Sequence, residues 1–112
     1  MKKLAEKDAK VSSVSHDSNI SKSVFLQKEV VPGILQWASS CLEPGVSVSE
    51  HVHEDATEIF HLQEGSMLAT INKEFVQLEK GDLLVIEPGE RHAFTNQRSE
   101  PCRFIYALIK SP

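Results

Sequence analysis

The stretch GVSVSEHVHEDATEIFHLQEG, residues 45–65, holds two runs with a two-residue period, 46–53 and 57–62, separated by an acidic break at Glu54-Asp55. That period belongs to the β-strand, whose successive side chains point to opposite faces. Along 46–53 it puts Ser47, Ser49, His51 and His53 on one face and Val46, Val48, Glu50 and Val52 on the other. The two imidazoles therefore point the same way. Side chains at i and i+2 are about 6.5–7 Å apart along a strand, a gap that two rings can close to grip one ion at about 2.0–2.2 Å. Glu58 opens the next run after four intervening residues, and a short reversal brings its carboxylate toward the same point.

Outward from this stretch the pattern repeats. Runs rich in Val, Ile, Phe and Leu, broken by Gly, Pro and Asn, place strands at 23–30, 34–41, 66–71, 74–78, 82–86, 91–95 and 102–109, beside those at 46–53 and 57–62. Asn72-Lys73 suits a tight hairpin, because Asn tolerates the positive φ such turns demand. Pro32-Gly33, Pro44-Gly45 and Pro88-Gly89 mark further turns. Many short strands with no long helix argue for a closed or sandwich-like all-β fold. Residues 1–20 are polar and lack a sustained period, so they read as a mobile arm or fraying helix carrying an idle His16, and 21–112 as one barrel domain.

Composition narrows the function. A chain of 112 residues fits one domain, and its net charge of −4 and pI near 5.7 give no basic surplus for a nucleic-acid partner. The longest apolar run, LLVI at 83–86, is far short of the roughly 20 residues of a membrane helix. Met1-Lys2-Lys3 is followed by charged residues instead of an apolar segment, so no secretory signal is read and a cytoplasmic location is expected. Cys41 and Cys102 stand in no metal-ligand pattern and read as buried thiols, with a Cys41–Cys102 bridge as the alternative.

A second segment supplies the remaining donor. GDLLVIEPGERHAFTN, residues 81–96, brings His92 in at the start of a strand after the Pro88-Gly89 turn. Three neutral imidazoles and one carboxylate make a mixed N/O site with room for water or substrate. A histidine pair spaced as His51 and His53 is weak evidence alone, since a lone strand His is commonly a surface or hydrogen-bonded residue. The spacing of the whole set is more specific. Gly45, His51, His53, Glu58 and Gly65 in the first segment, with Gly81, Gly89, His92 and Asn96 in the second, resemble the two motifs of the cupin superfamily. The departure is Pro88, one residue later than the usual proline, and it bears on turn shape only.

The resemblance covers about residues 45–96 and implies a small single-domain jelly-roll barrel, a double-stranded β-helix. It implies one divalent transition metal ion (Fe, Mn, Ni or Zn) inside, ligated by His51, His53, Glu58 and His92. Phe60, Phe94 and Asn96 are possible pocket residues, Asn96 being read first as a backbone-orienting group. His61 has the opposite parity to Glu58 and should face away. An outward Val46, Val48 and Val52 needs a cover, either the first strands of the same chain or a second subunit; cupins similar to this chain commonly pair, so a homodimer is expected. The ligand is a small molecule, and no membrane partner is expected. Two function classes stay open. One is a metal-dependent enzyme, with dioxygenase-type chemistry ahead of isomerase or decarboxylase, and the other is a non-catalytic binding or sensing module. No catalytic residue can be named. The cations near the motifs, Lys73, Lys80, Arg91 and Arg103, occupy turn or surface positions, which speaks against a sugar-phosphate substrate.

Overall fold

The computed structural model describes residues 1–14 and 17–112, except for the side chains of 17–19. His16 lies outside the described residues. Antiparallel strands form two sheets. The first, of six strands, runs in the order β1 (Lys10–Val14), β2 (Asp17–Leu26), β3 (Ile34–Leu42), β10 (Cys102–Lys110), β5 (Ala56–Glu64) and β8 (Leu83–Ile86). The second places β4 (Ser47–His51), β9 (His92–Thr95), β6 (Ser66–Ile71) and β7 (Glu74–Glu79) side by side. Their inner faces close over a core that includes Leu42, Leu62, Met67, Phe94 and Phe104. This is the all-β fold expected from the strand pattern, and the jelly-roll barrel that the cupin resemblance implies.

Why these residues fold so is visible in the burial alternation of β5, where Ala56, Glu58, Phe60 and Leu62 are buried and His61 is exposed. Burial of each large apolar side chain is worth about 1.5–3 kcal/mol. Asn72 (φ 48°) and Lys73 (φ 71°) make the expected two-residue hairpin between β6 and β7. Gly65 is required at its turn for two reasons. Its φ is +78°, and a Cβ there would meet the Pro101 carbonyl oxygen at 2.6 Å.

Two expectations are corrected. Residues 1–20, read as a loose polar arm or fraying helix, carry a 3-10 turn at Glu6–Asp8, all of β1 and the start of β2. Paired Val11↔Ser23 and Ser12↔Lys22, the polar residues gain ladder hydrogen bonds that a composition-based reading does not count. The alternation of β4 also breaks. Val48 pairs with Phe94 and His51 with His92, so three steps on β4 oppose two on β9. This β-bulge flips the parity between them, and Val48 turns into the core beside His51 instead of facing out. Val46 likewise packs against the core, so the valine face does not supply the outer surface on which a dimer was expected.

Candidate metal centre

His51 closes β4, His92 opens β9 directly opposite it, and Glu58 rises from the buried face of β5. His53 follows β4 in a loop whose backbone is tied to the second segment, the Gly89 amide donating to the His53 carbonyl at 2.9 Å. The two motifs are thus stitched together at the backbone, and their ligands meet. One donor atom from each of His51, His53, Glu58 and His92 lies within 4.8 Å of every other. Glu58 Oε1 is the hub, at 3.0 Å from His92 Nε2, 3.6 Å from His53 Nε2 and 4.0 Å from His51 Nε2. The bulge is what allows this, since without it His51 would share the outward face of Ser49.

The far sides of two rings are fixed. His51 Nδ1 lies 3.0 Å from the Ser49 carbonyl and His92 Nδ1 lies 2.9 Å from the Glu90 carbonyl. A carbonyl only accepts, so both Nδ1 atoms carry the proton, and Nε2 of each ring, which holds the lone pair when the ring is neutral, is turned toward Glu58. For His92 this leaves a choice at the 3.0 Å Nε2–Oε1 contact between a proton, which makes the ring cationic, and a metal ion that takes both atoms. Burial opposes the charged ring, but the hydrogen bonds to Glu58 and to the Glu90 carbonyl outweigh it and raise the His92 pKa. The donor set fits a divalent transition metal, being imidazole nitrogen plus carboxylate oxygen around one point.

Exposure sets the direction of access. Side-chain exposure is 0% at His92, 15% at His51 and 32% at His53, so the cluster opens at His53. On its inner side lies a cavity of ≈ 40 Å³, reached by His51 and Glu58 and walled by Phe60, Phe94, Phe104 and Tyr106. That is space for an ion with about one water or a ligand of a few atoms. Phe60 anchors the wall, with ring centroids 4.4 Å from Phe94 and 5.6 Å from a stacked Tyr106.

The anticipated pocket residues divide. Phe60 and Phe94 line the cavity, whereas Asn96 does not. Its amide donates to the Leu42 and Glu100 carbonyls at 2.9 and 2.8 Å and its oxygen accepts from the Arg98 amide at 2.9 Å. It is a buried peg that ties the loop after β9 to the end of β3. Cys41 and Cys102 are free thiols. Cys41 is opposite Arg103, one residue on from the buried Cys102, so the two sulfurs project to opposite faces of the sheet. Burial pushes the Cys102 thiol up to about 11. Lys73, Lys80, Arg91 and Arg103 are all exposed, as expected.

Sequence reading missed part of the wall. Tyr106, Ser40, Val14 and Ile20 reach the cavity. Gln36 accepts from the Tyr106 hydroxyl and from Lys22, a cation outside the motif segments that the sequence reading did not weigh. The alternation Ile20-x-Lys22-x-Val24 is the signal that points Lys22 inward, but it is hidden by starting the strand at residue 23.

Comparison with known proteins agrees with this architecture. The family model described as "Cupin domain" matches residues 38–108. The tetracenomycin polyketide synthase protein TcmJ of Streptomyces glaucescens is 36% identical over 67 residues, covering 60% of this chain and 45% of that protein. An oxalate-binding protein of Thermotoga maritima is 31% identical over 73 residues, or 65% of this chain and 60% of that one. The matched segments therefore span less than two thirds of either relative. Among solved structures, a predicted oxalate decarboxylase from Thermotoga maritima superposes with a TM-score of 0.87 at 23% identity, covering 97% of this chain and 99% of that one. The polyketide cyclase RemF from Streptomyces resistomycificus gives 0.80 at 20% identity, over 100% and 82%. At these identities the structural likeness speaks for fold alone. With the family model spanning both histidine motifs and strands β4 to β9 between them, the chain belongs to the cupin family as a small single-domain barrel.

Proposed function

We propose that the protein is a metal-dependent enzyme for a small molecule, with one divalent transition metal ion held by His51, His53, Glu58 and His92. The observation that carries this is the convergence of three Nε2 atoms on one oxygen of Glu58, with the Nδ1 sides of two rings already tied to backbone carbonyls. A bound ion in such a site supplies a Lewis acid with open positions for oxygen donors. Dioxygenase-type chemistry leads because histidine and carboxylate ligands with open positions suit it. The chain's own contribution is to keep the imidazoles neutral-side inward and to exclude bulk water with Phe60, Phe94 and Phe104. A cavity of ≈ 40 Å³ favours a ligand of a few heavy atoms over a polycyclic one such as the names of the polyketide relatives suggest.

The test is elemental analysis of the purified chain beside His92→Ala. About one Fe, Mn, Ni or Zn per chain, lost in the variant, supports the site and directs substrate screening to that metal's chemistry. A chain that takes up no metal after reconstitution sinks the proposal. The second reading, a non-catalytic binder, is favoured by the similarity to an oxalate-binding protein. Recovery of an unchanged ligand after prolonged incubation with metal-loaded protein and dioxygen would select it.

We also retain the homodimer, on a different surface from the one first expected. Trp37, Ala107, Ile59 and Val85 pair in one row across four strands on the outer face of the six-stranded sheet. Trp37, Val85 and neighbouring Leu83 are 42%, 47% and 54% exposed. Such a stripe gains by burial against a second copy. Light scattering should return twice the 12.5 kDa chain mass, and Trp37→Asp should halve it. A wild-type mass of one chain removes the dimer. Two free thiols suit a reducing compartment, which agrees with a cytoplasmic location.

A further inference from the structure

The wall of the barrel that faces the histidines carries a polar set that the metal-binding reading leaves without a task. On β2, Ile20 and Val24 are buried, and Lys22 between them shares their face. Its Nζ donates to Gln36 Oε1 at 3.2 Å, and the Tyr106 hydroxyl donates to the same oxygen at 3.1 Å. Gln36 opposes Leu108 and Leu108 opposes Glu58, so Gln36 and Glu58 sit on one row across three strands. At the usual strand spacing their backbones are about 10 Å apart, with side chains converging across the interior. The Tyr106 ring lines the same cavity as Glu58 and His51. Among the described residues no carboxylate lies within ion-pair distance of Lys22. Its pKa is lowered by burial, an effect that the field of Glu58 partly offsets.

Charge balance then constrains the ligand. A divalent ion, one carboxylate and three neutral imidazoles leave the centre at one positive charge, and Lys22 adds another. The centre borders a cavity walled by Phe60, Phe94 and Phe104, where an uncompensated charge is costly, and Lys22 is linked to the wall of that cavity through Gln36 and Tyr106. A neutral ligand leaves both charges unmatched and a monoanion leaves one. A small dianion cancels both.

We propose that Lys22, positioned by Gln36 and Tyr106, anchors the second acidic group of a small dianionic ligand whose first acidic group docks at the His51, His53, Glu58 and His92 centre. The inference rests on the metal-binding reading above and adds the substrate class and a specificity-determining residue. If Lys22 merely braced Gln36, its loss would affect a dianion and its monoamide alike. The dianion's preference over the monoamide that keeps the first carboxylate is therefore the quantity to measure.

The experiment titrates metal-loaded wild type, Lys22→Met, Lys22→Gln and Lys22→Arg calorimetrically with oxalate, malonate and succinate, and with their monoamides oxamate, malonamate and succinamate, which keep the first carboxylate and neutralise the second. Metal content is determined for every sample. We expect at least one dianion to bind the wild type at least about tenfold more tightly than its monoamide, the scale of one charge-assisted hydrogen bond. Lys22→Met and Lys22→Gln should erase that preference while holding one metal per chain, and Lys22→Arg should keep most of it. Three results overturn the inference alone, provided wild type carries its metal: no dianion binds, the uncharged variants bind it as tightly as wild type, or dianion and monoamide weaken together. A wild type without metal overturns both this inference and the reading beneath it.

Discussion

Two buried polar residues at opposite ends of the barrel behave in contrary ways. Asn96, wholly buried, spends its amide on the Leu42 and Glu100 carbonyls and its oxygen on the Arg98 amide. Glu58, 5% exposed, turns one oxygen toward three imidazoles and has a hydrogen bond to only one of them, at 3.0 Å. Both residues belong to motif segments. The difference teaches that spacing marks a position as special without saying why. A buried polar group whose bonds are all met by backbone holds the fold, whereas one surrounded by further donors of metal-binding type is arranged for something that is not protein.

The sharpest way to break this contrast is to exchange the two phenotypes. Asn96→Ala should lower unfolding free energy by about 3 kcal/mol in urea titrations, because it strands two carbonyls and an amide that were paired. Metal content per folded chain should not change. Glu58→Gln should do the reverse. It removes the anionic donor and should weaken metal affinity by more than about 100-fold, beyond the range expected for groups that only support ligands. Its effect on the stability of the metal-free chain should be far smaller. If Asn96→Ala empties the site, or Glu58→Gln unfolds the chain while metal stays bound, the division of roles is wrong.

The same contrast explains what the sequence could reveal. His51, His53, Glu58 and His92 were legible because their spacing within two short segments, together with the flanking glycines, resembles the two cupin motifs. The bulge in β4 was not, since an extra residue opposite β9 leaves the spacing of His51 and His53 untouched and shows only in the pairing Val48↔Phe94, His51↔His92. Reading strict alternation there turned Val48 outward and left a valine face in need of a cover that the bulge makes unnecessary. Asn72-Lys73 was legible because its turn chemistry is local. Gln36 and Tyr106 were not, because their meeting depends on the register of β3 against β10, strands far apart in the chain. The first hairpin was missed for a third reason: its strand partners replace the apolar periodicity that a composition-based reading requires.

The smallest effect expected is on pH, and it separates the two residues without perturbing the fold. In the metal-free chain the folded-state pKa of His92 is raised, burial being outweighed by the bonds to Glu58 and the Glu90 carbonyl. A raised folded pKa means that the folded chain holds the proton more tightly than the unfolded one. The resulting stabilisation is therefore complete below the unfolded value of about 6.5 and fades as pH climbs through the folded value. Metal binding has the opposite sign, since it needs the neutral ring, so affinity should rise over that interval and fall steeply below about pH 6. Melting of the metal-free protein between pH 6 and 8 should thus show a decline with rising pH that His92→Gln flattens. In Asn96→Ala the whole curve should drop with its slope preserved, because Asn96 neither titrates nor touches a group that does. Equal slopes in wild type and His92→Gln would mean that the Nε2 proton at Glu58 is not what the metal-free centre holds. Retention of full metal at pH 4.5 would remove the three-imidazole centre itself.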